Sequence, residues 1–114
     1  MRSVLLAVAV LGLAACSSGG DEATPVSVTS ADNTCEVTPT TVTAGSVVFS
    51  VQNTGSATTE FYLYGTGDQI LGEVEDIGPG VARDLVIDVP AGAYTTACKT
   101  GDDDEGIRAP FTAQ

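Results

Sequence analysis

The chain has 114 residues, with 15 Asp and Glu against 4 Lys and Arg, no histidine, and 43% hydrophobic residues. Its basic residues are Arg2, Arg83, Lys99 and Arg108, too few to line a face that displaces phosphate counterions, so nucleic acid is excluded as a partner. Without histidine there is no imidazole acid–base catalysis, no Ser–His triad, no His-ligated zinc and no His₂Cys blue-copper centre, and no nucleophile–base pair remains to indicate an enzyme.

Residues 1–15 have the three parts of an export signal: a basic start at Arg2, an apolar run from Val4 to Leu13, and small residues before Cys16. The apolar run is too short to span a bilayer. The tetrad Leu13-Ala14-Ala15-Cys16 resembles the bacterial lipobox, which implies a diacylglyceryl thioether on Cys16 and cleavage before it. An ordinary secretory signal that happens to end beside a cysteine is the alternative. Residues 16–24 continue as Ser17-Ser18-Gly19-Gly20-Asp21-Glu22, a polar stretch with no apolar period, expected to act as a flexible tether. The domain at 25–114 would then be lipid-anchored on the outer face of the bacterial cytoplasmic membrane, where disulfides are permitted.

Beyond Pro25 the apolar residues recur every second position. Val47, Phe49 and Val51 alternate with Val48, Ser50 and Gln52, and Leu85, Ile87 and Val89 alternate with Asp84, Val86 and Asp88. That is the pattern of strands with one buried face. Turn signals separate the runs at Ala44-Gly45, Asn53-Thr54-Gly55, Gly65-Thr66-Gly67-Asp68, Gly78-Pro79-Gly80, Pro90-Ala91-Gly92 and Gly101-Asp102. Eight strands are predicted near 25–30, 35–38, 46–53, 58–64, 69–76, 81–89, 93–98 and 107–113, an all-β sandwich of about seven to eight strands with no helical face.

The stretch Gly92-Ala93-Tyr94-Thr95-Thr96-Ala97-Cys98 resembles the late strand of cupredoxins, whose cysteine is a copper ligand, and Phe49-Ser50-Val51-Gln52-Asn53 resembles the stretch before their first ligand histidine. Here Glu60 stands near that histidine's place, no histidine follows Cys98 and no methionine follows to act as axial ligand. The resemblance therefore implies a cupredoxin-like Greek-key β-sandwich without a type 1 copper centre. Over residues 34–114 the chain is also similar to the cupredoxin-like N-terminal domain of EfeO-type iron uptake lipoproteins. The stretches that carry this are Cys35-Glu36, Ala44-Gly45, Glu60-Phe61-Tyr62-Leu63-Tyr64-Gly65, Asp76-Ile77-Gly78-Pro79-Gly80, Ala97-Cys98-Lys99 and Gly106-Ile107-Arg108. That resemblance implies Cys35, Glu60 and Cys98 as metal ligands, copper or iron as the metal, and an iron permease and a haem-dependent peroxidase as partners. Typical members continue into a helical imelysin-like domain, which these residues do not include.

Once Cys16 is lipidated, Cys35 and Cys98 are the remaining cysteines. They suit either a structural disulfide, which on chain-entropy grounds would stabilise the fold by about 4 kcal/mol, or a pair of thiolates for copper or zinc with Glu60 as a hard oxygen donor. Strand alternation puts Glu60 on one face with Tyr62 and Tyr64, either solvated or lining a shallow site. Glu73 and Glu75 share a face and would either hold a hard cation or form a solvated edge. The run Asp102-Asp103-Asp104-Glu105 lacks the spacing of an EF-hand, and would attract cations loosely at most. The function expected from these readings is an extracytoplasmic metal-binding module of iron uptake. The rival is an immunoglobulin-like structural or adhesive lipoprotein with a Cys35–Cys98 disulfide and no metal.

Overall fold

The computed structural model describes residues 22–101 and 104–114, so the leader, Cys16, most of the tether, Asp102 and Asp103 lie outside the described residues. The period-two runs all become strands: β1 (Thr24–Ser30), β2 (Cys35–Thr38), β4 (Gly45–Asn53), β5 (Thr59–Tyr64), β6 (Ile70–Ile77), β7 (Ala82–Val89), β8 (Gly92–Thr100) and β9 (Ile107–Ala113). A ninth strand, β3 (Thr41–Val42), was not expected, since two residues are too few to show a period. Buried Val42 nonetheless pairs in parallel with Ala113 of β9. The one helical feature among the described residues is a 3₁₀ turn at Thr66–Asp68.

The strands form two sheets, β2-β1-β4-β7 and β3-β9-β8-β5-β6. All neighbours are antiparallel except β1 with β4 and β3 with β9. The inner faces meet on Val26 and Val28 of β1, Val47, Phe49 and Val51 of β4, Phe61 and Leu63 of β5, Ile77, Val89 and Phe111. Phe49 occupies the centre, its ring centroid 5.1 Å from that of Phe61 and 5.2 Å from that of Phe111. Three tilted aromatic rings fill the gap between sheets that valines alone would leave, and each such pair adds about 0.5–1.5 kcal/mol beyond the area it buries.

One end of the sandwich, called upper below, holds the ends of β1, β4, β6 and β8, the loops 31–34, 54–58 and 78–81, and Gly101. It is tied by side chains that cross between the sheets. Ser30 Oγ and Thr59 Oγ1 lie 2.7 Å apart in a buried hydrogen bond. Buried Asn53 donates from Nδ2 to the carbonyls of Ala57 (2.7 Å) and Ile77 (2.8 Å), while its Oδ1 accepts from Gly55 N (2.8 Å). At the lower end, where β1 begins at Thr24, Ala44 N donates to the Gln114 carbonyl and Gln114 N to that of Val42.

The Asn53 network generates a test of this arrangement. Asn53→Ala orphans two carbonyls and an amide, so urea unfolding should show a loss of about 1–3 kcal/mol. Gln52→Ala, one residue along on the exposed outer face, should leave the midpoint unchanged.

Candidate functional site

Cys35 opens the edge strand β2 of one sheet, and Cys98 lies near the end of β8 in the middle of the other. They are joined by a disulfide with a Cα–Cα distance of 5.7 Å across a sequence separation of 63. Cys98 is 1% exposed and faces the core on the same side as its neighbour across the sheet, Phe61. Glu60 precedes Phe61, so its side chain leaves the opposite, outer face of the sheet, level with Lys99. The expected ligand trio Cys35, Glu60 and Cys98 is therefore not one site. The pleat that turns Cys98 inward turns Glu60 outward, and the sulfur a metal would need is bonded to Cys35. Among the described residues no group of three or more His, Cys, Asp and Glu side chains converges closely enough to hold a metal ion.

The outer face gathers a different set. Tyr62 and Tyr64 alternate with Phe61 and Leu63 along β5 and, with Ala97 of β8, form a second small apolar cluster outside the main core. Their rings stack with centroids 5.7 Å apart and an interplanar angle of 7°. Two of the chain's four basic residues roof them: Lys99 Nζ lies 4.5 Å from the Tyr62 centroid, and the Arg108 guanidinium lies 4.6 Å from that of Tyr64. Long cationic side chains cover apolar rings while keeping their charge in water, and each contact contributes about 0.5–1 kcal/mol at an exposed site. Arg108 is held by Asp68 Oδ1 at 3.0 Å and by the Glu105 carbonyl. Sequence alternation placed Glu60, Tyr62 and Tyr64 together. The roof depends on cross-strand register, which pairs Glu60 with Lys99 and Ala97 with Arg108, and no local pattern encodes that.

The Tyr62 phenol is where the oxygen donors meet. It donates to Glu60 Oε2 at 2.6 Å and lies 3.2 Å from Glu75 Oε1 on the neighbouring strand β6. Glu73 stands across the sheet from Tyr62, so the acidic pair of β6 borders this same face. The hydrogen bond to Glu60, burial of the ring and then the charges of the two carboxylates push the Tyr62 phenol well above its ordinary range. At the upper end Asp32 is exposed and accepts from Ser56 N at 2.7 Å and from Ser56 Oγ at 3.0 Å. These bonds, the backbone one foremost, hold its carboxyl below the usual value. Asp104 is exposed in the loop after β8.

Tyr94, four residues before Cys98, packs against the main core and donates its hydroxyl to the Pro90 carbonyl across the β7–β8 turn. Gly92, at φ 159°, lies under that ring: a Cβ there would come 3.6 Å from the Tyr94 hydroxyl. The Gly-x-Tyr-x-x-x-Cys stretch is thus a turn lock followed by a disulfide anchor.

The sequence profile of the cupredoxin-like domain family matches residues 3–107. No curated protein matches the chain significantly in sequence. Among solved structures, reduced auracyanin from the photosynthetic bacterium Roseiflexus castenholzii is similar with a TM-score of 0.64 at 15% identity, covering 81% of this chain and 98% of that one. Auracyanin A of Chloroflexus aurantiacus, described as a "blue" copper protein, gives 0.53 at 16% identity over 79% of this chain and 99% of its own. A copper-containing nitrite reductase from Thermus scotoductus gives 0.55 at 12% identity over 79% of this chain and 27% of that one. At these identities the likeness is one of fold.

Two outcomes follow from the site. Tyr62 prefers its neutral form in the folded state, so its contribution to stability is complete below the ordinary phenol value of about 10 and is lost as pH rises above it. Stability measured by urea should fall with pH above that point, and Tyr62→Phe should flatten the slope. Cys35→Ser and Cys98→Ser should each lower unfolding free energy by about 2–5 kcal/mol, far more than Glu60→Gln.

Proposed function

Because the chain belongs to the cupredoxin-like domain family but does not carry that fold's thiolate–imidazole donors, we propose that it is a lipid-anchored, extracytoplasmic module that captures iron through oxygen donors within an EfeO-type uptake system. Copper as a resident blue centre does not fit these residues. Cys98 Sγ is bonded to Cys35, the chain has no histidine, and its one methionine is Met1.

The observation that carries the proposal is the Tyr62 phenol set between Glu60 and Glu75. Carboxylate and phenol oxygens are hard donors suited to a hard cation such as ferric iron, taken here as cargo. Capture would displace the phenol proton to solvent while both carboxylates stay ionised, so uptake of metal releases a proton and tightens as pH rises. Lys99 above the Tyr62 ring opposes an incoming cation, which keeps binding weak enough for release to a partner. In an EfeO-type system that partner is an iron permease acting with a haem-dependent peroxidase, and Cys16 supplies the anchor that holds the module on the outer face of the cytoplasmic membrane. The module itself does no bond-making chemistry on an organic substrate.

A second reading, a disulfide-stapled structural or adhesive lipoprotein without metal, is favoured by the burial of Cys98 in the core. Titration calorimetry of the purified chain with ferric citrate and with copper(II) separates the two. The uptake reading expects Glu60→Gln and Tyr62→Phe each to weaken ferric binding by one or more tenfold steps, worth about 1.4 kcal/mol apiece, with Glu60→Gln leaving the melting temperature of the metal-free protein in place. Lys99→Gln should tighten it. Equal heats for wild type and all three variants would leave the structural reading.

A further inference from the structure

Resting on the lipid-anchor reading above, the placement of chain start and apolar side chains points to a fixed orientation. We propose that the lower end of the sandwich sits on the membrane surface, with Ile70 and Leu71 entering the headgroup region, and that the upper end faces outward.

Two observations converge on the lower end. The first is reach. Strand β1 begins there at Thr24, and the seven residues between Cys16 and Thr24 span at most about 25 Å when fully extended. A sandwich hung on so short a connection presents the end at which the connection enters.

The second is apolar exposure. Ile70 is 53% and Leu71 38% exposed, and they are consecutive at the lower start of the edge strand β6. Leu71 is held there by the preceding turn: a Cβ on Gly65 would approach Leu71 Cδ1 to 3.1 Å, so glycine lets the turn close against it. The other two large exposed apolar residues, Val81 and Val86, lie apart from each other, Val81 in an upper loop and Val86 midway along the outer face of β7. Single exposed residues of that kind are ordinary, whereas an adjacent pair at the anchored end forms a small insertion point.

The chain has no tryptophan, so an introduced one reports its own surroundings.

The experiment uses the lipidated full chain in vesicles of phosphatidylethanolamine and phosphatidylglycerol containing a brominated lipid. Ile70→Trp and Leu71→Trp should each show blue-shifted emission and several-fold stronger bromine quenching than Val81→Trp, the equally exposed control at the other end. Flotation of the unsubstituted chain beside Cys16→Ser is measured in parallel. A wild type that floats while Cys16→Ser does not, with no more quenching at positions 70 and 71 than at 81, overturns the orientation alone and assigns the pair to a protein partner. A wild type that fails to float overturns the anchor and the orientation together.

Discussion

The disulfide between Cys35 and Cys98 is the constraint on which the rest of the molecule depends. It is a covalent side-chain link between the two sheets, and it fastens a four-residue edge strand to the centre of the opposite sheet. A domain of this size buries a modest core, and its largest fully buried side chains are three phenylalanines and a set of aliphatic residues. Closing so long a loop removes unfolded-state entropy on the scale of a domain's whole net stability. The same bond fixes which chemistry the upper end can perform, because a sulfur committed to a partner in the core is not a metal ligand.

With the inner face closed, polar chemistry moves to the outer face of the five-stranded sheet. There the buried Tyr62 and Tyr64 rings are covered by Lys99 and Arg108, and the Tyr62 hydroxyl is satisfied by carboxylates. A buried phenol without an acceptor would be costly, so Glu60 has a packing role as well as any role toward a ligand. The family's architecture is retained while the donor set differs, which illustrates how function resides in a site carried by a fold. The proposed capture of iron and the proposed seating on the membrane use different parts of one molecule: a cluster of hard oxygens on a sheet face, and an exposed apolar pair at the lower end.

Much of the fold was legible because its strands alternate cleanly. Val47, Phe49 and Val51 bury completely, while their neighbours Ser50 and Gln52 stay exposed, as period two requires. The edges of the prediction also follow from physics. β3 escaped because two residues carry no period, and β8 extends past Cys98 to Thr100 because pairing with Thr59 continues there. The site was legible only in part. Alternation placed Glu60 with Tyr62 and Tyr64, and Glu73 with Glu75, on single faces. It could not tell that β5 and β6 bring Glu75 to the Tyr62 phenol, since register between strands is a long-range property. The grouping of Glu60 with the two cysteines failed for a reason visible in the same alternation: Glu60 and Phe61 point to opposite faces, and it is Phe61 that stands beside Cys98.

The account is tested most directly by counting thiols in the protein isolated from its host without reductant, denatured and treated with a thiol-alkylating reagent, then digested and weighed. A single cross-linked peptide pair containing Cys35 and Cys98, with neither residue alkylated, is the result this structure predicts. Quantitative alkylation of both cysteines in that protein would contradict it, and would return the two sulfurs to the list of candidate ligands.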